Sequence, residues 1–259
     1  MPDTGSPYEI PFLDGTELVR AYPQFSEDLA DAIVAGLDSV ATTGFRFAGT
    51  RYFTSSGTFA KADPFGTGDD VGLRAVVVHV WGGGGAGGGS GTSSRRNGAW
   101  GGGSGGYSKR FYLAAELDAS ESVGVGSGGA GVDLEFGSNG QVSTFKGQTA
   151  NGGLGGPHAQ FSANSPSSPA DGGSASGGDL NISGGGGTFG DYDLPRSGVG
   201  GDAPLGGSGG STSQSATQTR NGNGGAFPGG GGGGSVSGSN TIRRGGSGAQ
   251  GAVFIEVWV

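Results

Sequence analysis

Residues 75–91 read AVVVHVWGGGGAGGGSG, and residues 248–259 read GAQGAVFIEVWV. Each stretch holds an apolar run, Ala75–Trp81 and Ala252–Val259, whose content of Val, Ile, Phe and Trp is that of a β-strand. Between the runs lies a block, Gly82–Gly251, that contains glycine runs such as Gly82–Gly85, Gly101–Gly103, Gly184–Gly187 and Gly229–Gly234. How this block is read decides the fold. Alternation along the first run sends Val76, Val78 and Val80 to one face and Val77, His79 and Trp81 to the other. His79, inside an apolar strand, reads as a structural histidine whose polar atoms are satisfied. The two bracketing strands are expected to lie side by side.

A flexible Gly/Ser linker is the simplest account of the block. A linker joins two domains, however, and beyond this block stands a single eight-residue strand whose expected partner precedes it. A structureless loop of such length inside a compact domain lies far outside the usual range. Collagen is excluded as well, because the strict every-third glycine is missing and the chain has only 11 Pro. What remains is packing of backbone on backbone. Extended chains near polyproline-II geometry make no internal hydrogen bonds, so their amides must find partners on neighbouring chains. Glycine, without a Cβ, lets those chains come close. The expected fold class is therefore mainly β with polyglycine-II helices: a short N-terminal α-helix, a small β-sheet part, and a glycine-rich lattice with inserted loops.

Before the first bracketing strand the composition changes. Residues 1–43 carry eight acids (Asp3, Glu9, Asp14, Glu17, Glu27, Asp28, Asp31 and Asp38) against Arg20 alone. Residues 7–25 have the Pro and large apolar side chains of an extended arm. Ser26 then offers an N-cap, Glu27 and Asp28 put negative charge in the first turn, and Leu29, Ile33, Leu37 and Val40 recur at helical spacing. A helix with one apolar stripe is expected there, ending near Thr42–Gly44, either packed on its own domain or in a small self-associating bundle. Residues 1–43 thus read as an arm and helix for attachment and oligomerisation, and 44–259 as a glycine-rich tip. Strands are expected in FRFAG, TRYFTS and GTFAKA (45–62), broken at Gly49 and at Ser55–Gly57. Tyr107–Leu113, Ser122–Val125 and Gln141–Thr149 read as three more, with none from Gly152 until Val253.

Large side chains within the block concentrate in its interruptions. Arg95, Arg96 and Trp100 lie in the first, His158 and Phe161 in the next, Phe189, Tyr192 and Arg196 in the third, Arg220 near the fourth and Arg243 in the last. Aromatic and Arg side chains are the usual anchors of interfaces, rings stack on sugar faces, and loops on a stiff scaffold are the common form of a recognition surface. These ten are the candidate binding residues. For any one of them the alternative is packing along a lattice edge or between subunits.

Other chemistries find little support. The net charge is −8 with no basic face, which argues against nucleic acid. No apolar run approaches the roughly 20 residues of a membrane helix, and the start MPDTGSPYEI lacks the pattern of a signal peptide. Matches to GxGxxG mean little at 65 Gly in 259 residues, and a P-loop is missing because none of Lys61, Lys109 and Lys146 sits in Gly-Lys-Ser/Thr. Gly128–Phe136 (GGAGVDLEF) approaches the calcium-binding nonapeptide, but Glu135 fills its apolar position and no tandem copy follows. With no Cys, and His79 and His158 as the two histidines, neither a transition-metal site nor a His-dependent hydrolase is expected. Asp191 and Asp193 lie in one glycine-rich loop without the stiff support of a glycosidase pair. No cofactor, metal or enzymatic activity is expected.

The segments YEIPFLDGTELVRAYPQFSEDLADAIVAGL (8–37), GTRYFTSSGTFAKAD (49–63), LRAVVVHVWGGGGAGGG (73–89) and GAQGAVFIEVWV (248–259) together resemble glycine-rich minor tail proteins and tail-fibre tips of tailed bacteriophages, especially those of actinobacteria. The resemblance implies a virion protein made in the host cytoplasm without a signal peptide. It also implies a homotrimer, held to other tail proteins through residues 1–43. The body is similar to the adhesins of T-even-type phages, whose glycine helices carry variable receptor-recognising loops. This chain departs from them in its longer β part and its own attachment arm, so no binding residue transfers. The expected role is an adhesin for a host cell-surface glycan or other envelope component. The alternatives are a purely structural minor tail protein, a cell-wall glycan hydrolase and an ice-binding glycine-helix bundle.

Overall fold

The computed structural model describes residues 44–91, 97–159, 169–191, 196–211, 219–238 and 241–259, together with Ile33. The chain divides into two compact units, Met1–Phe45 and Arg46–Val259. The arm and helix expected over 7–42 lie outside the described residues, Ile33 apart.

Among the described residues, twelve strands build the second unit: β1 (Phe47–Phe53), β2 (Gly57–Ala60), β3 (Ala75–Trp81), β4 (Asn97–Gly98), β5 (Tyr107–Leu113), β6 (Ser120–Gly124), β7 (Ser143–Phe145), β8 (Gln148–Ala150), β9 (Ala175–Ser176), β10 (Leu180–Ile182), β11 (Val236–Ser237) and β12 (Ala252–Trp258). One five-stranded sheet has the order β1-β12-β3-β5-β10 and a second the order β2-β6-β7-β8-β9, while β4 and β11 form a small ribbon. The bracketing strands do pair, antiparallel, from Ala252 opposite Trp81 to Trp258 opposite Ala75.

Alternation explains the core. Val76, Val78 and Val80 of β3, Val253, Ile255 and Val257 of β12, and Tyr112 of β5 turn inward from the first sheet. They meet Phe59, Val123, Phe145 and Ala150 of the second, and all are buried. Phe145 sits edge-on to Phe59 at 6.1 Å and tilted against Tyr112 at 5.9 Å, so the two layers interlock through rings. Burying each such side chain stabilises the fold by about 1.5–3 kcal/mol.

The expected class needs correction. Among the described residues the regular elements are strands and one 3-10 turn, Ala114–Glu116, with no α-helix element, so the fold is mainly β. Glycine disfavours an α-helix by about 1 kcal/mol per residue, and the remaining apolar runs are β-branched and aromatic. The strand expectations change in detail too. Gly49 does not break its strand: β1 runs through it with a register shift and a φ of 153°. Gln141–Thr149 is not one strand but the hairpin β7–β8, turned at Lys146 and Gly147 with φ of 35° and 79°. Positive φ at both central residues is the type I′ requirement, and Lys-Gly is not one of its usual sequence signals. After Gly152, β9, β10 and β11 appear where no strand was expected; two or three residues each, they are too short for a pattern to show.

Among the described residues the glycine stretches carry no assigned helix; they are tied to one another through the backbone. Residues 82–90 show the rule. Gly82, Gly85 and Gly88 donate to Gly106, Gly103 and Trp100; Gly83, Ala86 and Gly89 donate to Gln141, Ser138 and Glu135; Gly84, Gly87 and Ser90 donate to Ala249, Gly246 and Arg243. Every third amide therefore points to the same neighbour. Carbonyls of the same segment accept from three further stretches, at Gly153 and Gly156, at Gly129, and at Gly232 and Ser235. Such packing requires glycine: a Cβ on Gly85 would lie 2.0 Å from Leu154 O.

Candidate functional site

The hydrogen-bond ladders run away from the sandwich. Gly82 and Gly106, next to β3 and β5, begin one ladder, and Gly88 with Trp100 continues it outward. At its far end Ser90 pairs with Arg243, Ala159 donates to Gly89 O, Gly98 donates to Asp191 O, and Arg220 pairs with Val236. The lattice thus brings Trp100, His158, Phe189, Arg196, Arg220 and Arg243 to one end, opposite the sandwich. Arg95, Arg96, Phe161 and Tyr192 lie outside the described residues.

The described candidates form three groups. Trp100 is 7 % exposed and its ring meets Phe189 edge to face at 4.7 Å. Trp100 is therefore a support, while Phe189, 56 % exposed, presents a ring outward. Beside them Asp191 N donates to Arg196 O at 2.8 Å. In the second group His158 stands edge-on to Phe136 at 4.9 Å, and its Nδ1 is buried without a hydrogen-bond partner. Burial holds its pKa below the ordinary value, opposed by the charge of Glu135. A neutral imidazole next to a ring suits stacking better than charge pairing.

The third group surrounds Ser235. Its hydroxyl lies 2.8 Å from Ser90 Oγ and donates to Arg243 O at 3.1 Å, which fixes the backbone from which Arg243 projects. Arg243 Nε is buried and makes no hydrogen bond. Arg220 is held on the other side of β11 by two backbone bonds with Val236, of 2.8 and 2.9 Å. Two residues outside the ten candidates join this end: Phe136, exposed beside His158, and Arg244, which stands in the last interruption beside Arg243 and whose Nε donates to Gly131 O at 2.5 Å. The calcium-like stretch contributes Asp133 to a backbone bridge with Arg244. Phe136 was legible as the aromatic end of that same stretch, read only for metal binding.

Elsewhere, His79 sits inside its strand as expected, but one of its two ring nitrogens, not both, has a hydrogen-bond partner. Tyr107 Oη lies 2.8 Å from Nδ1, and Glu256 Oε1 lies 3.3 Å from Nε2 in ion-pair range but off hydrogen-bond geometry. A cleft of about 360 Å³ lined by Lys61, Ala62, Asp70, Gly72, Leu73 and Ala119 lies on the β part and contains none of the candidates. Among the described residues no three His, Asp or Glu side chains are grouped to hold a metal ion, and no helix is long and apolar enough to cross a membrane.

No curated protein matches the chain. The family model described as a glycine-rich domain matches residues 54–258, from the end of β1 to the end of β12, and so takes in both the sandwich and the lattice. By that match the chain belongs to the glycine-rich domain family.

Proposed function

We propose that this protein is a tail-tip or tail-fibre component of a tailed bacteriophage that presents the far end of its glycine lattice to the host cell surface. One observation carries the reading: among the described residues, His158, Phe189, Arg220 and Arg243, drawn from four separate interruptions, come to the same end of a backbone-packed scaffold. A scaffold with little side-chain freedom holds loops at low entropic cost, and preorganised loops bind better. The exposed Phe189 and Phe136 rings suit sugar faces, and Arg220 and Arg243 suit hydroxyls or acidic envelope groups. Mechanistically this is reversible binding rather than catalysis. A homotrimer, attached through residues 1–43, multiplies weak contacts through effective concentration.

The test is binding of the labelled full-length chain to a panel of actinobacterial cells, with detection of the same chain in purified virions. Phe189→Ala, Arg220→Ala and Arg243→Ala, combined, are expected to lower cell binding at least tenfold, whereas Thr144→Ala on the sandwich leaves it unchanged. Equal binding by the triple variant would leave a purely structural tail protein as the better reading. Release of soluble sugars from cell walls would favour a glycan hydrolase.

A further inference from the structure

The two sheets of the sandwich turn chemically opposite faces outward. On the second sheet the residues pointing away from the core are Thr58, Ser122, Thr144, Thr149 and Ser176, a surface of hydroxyl groups. The chain therefore builds an ordinary wet sheet face where one is needed. On the first sheet, cross-strand partners set out rows rich in large apolar side chains instead. One row runs Phe47, Trp258, Ala75, Leu113. The next but one runs Tyr52, Phe254, His79, Lys109, Leu180.

Four of these side chains are open to solvent, Tyr52 63 % exposed, Phe47 51 %, Leu180 45 % and Leu113 44 %, while Ala75 is buried. Their rings are already ordered, Phe47 on Trp258 at 5.4 Å and Tyr52 on Phe254 at 4.7 Å, both edge to face. A contiguous apolar patch on a monomer marks an interaction surface, and ordered rings lose little freedom when covered. The row nearest the lattice is already covered, where Trp81 Nε1 donates to Pro204 O at 2.8 Å and Trp81 packs with Tyr107, Ala203 and Ala252, and Phe254 of the next row packs on this cluster and on Phe227.

The charges say what fits. Glu256 lies on the β12 half of the face and Lys109 on the β5 half, one same-face step apart along the strands, or about 7 Å. An acid on one half and a base on the other make the face complementary to itself, provided that the acidic half of one copy meets the basic half of the next. Head-to-tail contacts of this kind close into rings. We propose that the outer face of the first sheet is the surface through which copies of this chain associate, the β1–β12 half of one copy packing on the β5–β10 half of the next around a threefold axis. The ring size rests on the homotrimer proposed above; the surface itself is argued from the face alone.

Native mass measurement of the full chain at micromolar concentration tests this. The expected result is three times the chain mass, with Tyr52→Lys and Lys109→Glu each raising the dissociation constant at least tenfold. Glu256→Lys alone is expected to do the same, and Glu256→Lys combined with Lys109→Glu to restore assembly to within threefold of the starting protein. Both Tyr52 and Lys109 are exposed, so their variants keep the unaltered melting transition even where Glu256→Lys fails to fold. A monomer or dimer, or a trimer indifferent to Tyr52→Lys and Lys109→Glu, overturns the proposal. Loop variants such as Phe189→Ala stay trimeric while losing cell binding, so failure of host recognition and failure of this surface are told apart.

Discussion

The sandwich and the glycine lattice are both dry interiors, yet they exclude water by opposite means. In the sandwich Val78, Ile255, Phe59 and Phe145 fill the space between two sheets with side chains, and the backbones stay a layer apart. In the lattice side chains are few and the backbones themselves are in contact, an inner stretch such as 82–90 donating its amides in three directions. The first kind of interior is stabilised by apolar area removed from water, is non-directional and accepts substitutions of similar volume. The second depends on hydrogen bonds that all have to be made at once, because an unpaired buried amide or carbonyl is costly. The difference teaches that low hydrophobic content does not imply disorder when the backbone can replace the side chain as the packing unit.

The hardest way to break this comparison is one methyl group. Gly85→Ala would place its Cβ 2.0 Å from Leu154 O and 2.5 Å from Leu154 C, backbone atoms that cannot rotate away. The expected loss exceeds about 4 kcal/mol, the range kept for disrupted interiors, and the thermal transition disappears or falls by tens of degrees. Gly224→Ala, in the same lattice, meets only Ser247 O at 3.4 Å and is expected to melt within a few degrees of the starting protein. Equal effects of the two would mean that glycine content, not close approach, sets stability. Next in size comes the sandwich. Ile255→Ala removes a fully buried side chain and is expected to cost about 2–5 kcal/mol, while Ile255→Val costs about 0.5–1.5 kcal/mol, both read from urea midpoints. A lattice that tolerated Gly85→Ala better than the sandwich tolerates Ile255→Ala would reverse the comparison.

The same contrast explains what could be read in advance. Val76, Val78 and Val80 announced their strand because alternation is written in side chains, and so did Tyr107–Leu113, where the expected and observed limits coincide. The hairpin at Lys146–Gly147 was missed because its turn rests on a lysine with positive φ, held where Nζ reaches Glu121 at 2.6 Å and Asp118 at 3.2 Å. Strands such as β9 and β10 were missed because pairing, not pattern, creates them: Leu180, Asn181 and Ile182 become a strand by lying on Lys109, Ser108 and Tyr107. At the far end, Trp100 read as a binding residue although its ring is buried under Phe189, since composition does not distinguish a supporting ring from a presented one. The apolar outer face, by contrast, was present in the alternation of Tyr107, Lys109 and Phe111 and only needed a second sheet for comparison.

The smallest expected effect separates the two regions by pH. His79 belongs to the sandwich and His158 to the far end of the lattice, and burial is the largest influence lowering the pKa of each. At His79 the nearby Glu256 pulls the other way and Lys109 adds to the lowering, but burial prevails. In the unfolded chain both rings take up a proton near pH 6.5. In the native state they do so only at lower pH, so below about 6.5 the unfolded chain binds more protons and stability falls as pH falls. The loss stops growing once the native rings are protonated as well. Urea midpoints at pH 7.5, 6.5 and 5.5 are expected to decline less steeply for His79→Gln than for the starting protein. Adding His158→Gln should flatten the decline further, the two increments dividing the acid sensitivity between sandwich and lattice. If the double variant declines as steeply as the starting protein, neither buried ring governs that window.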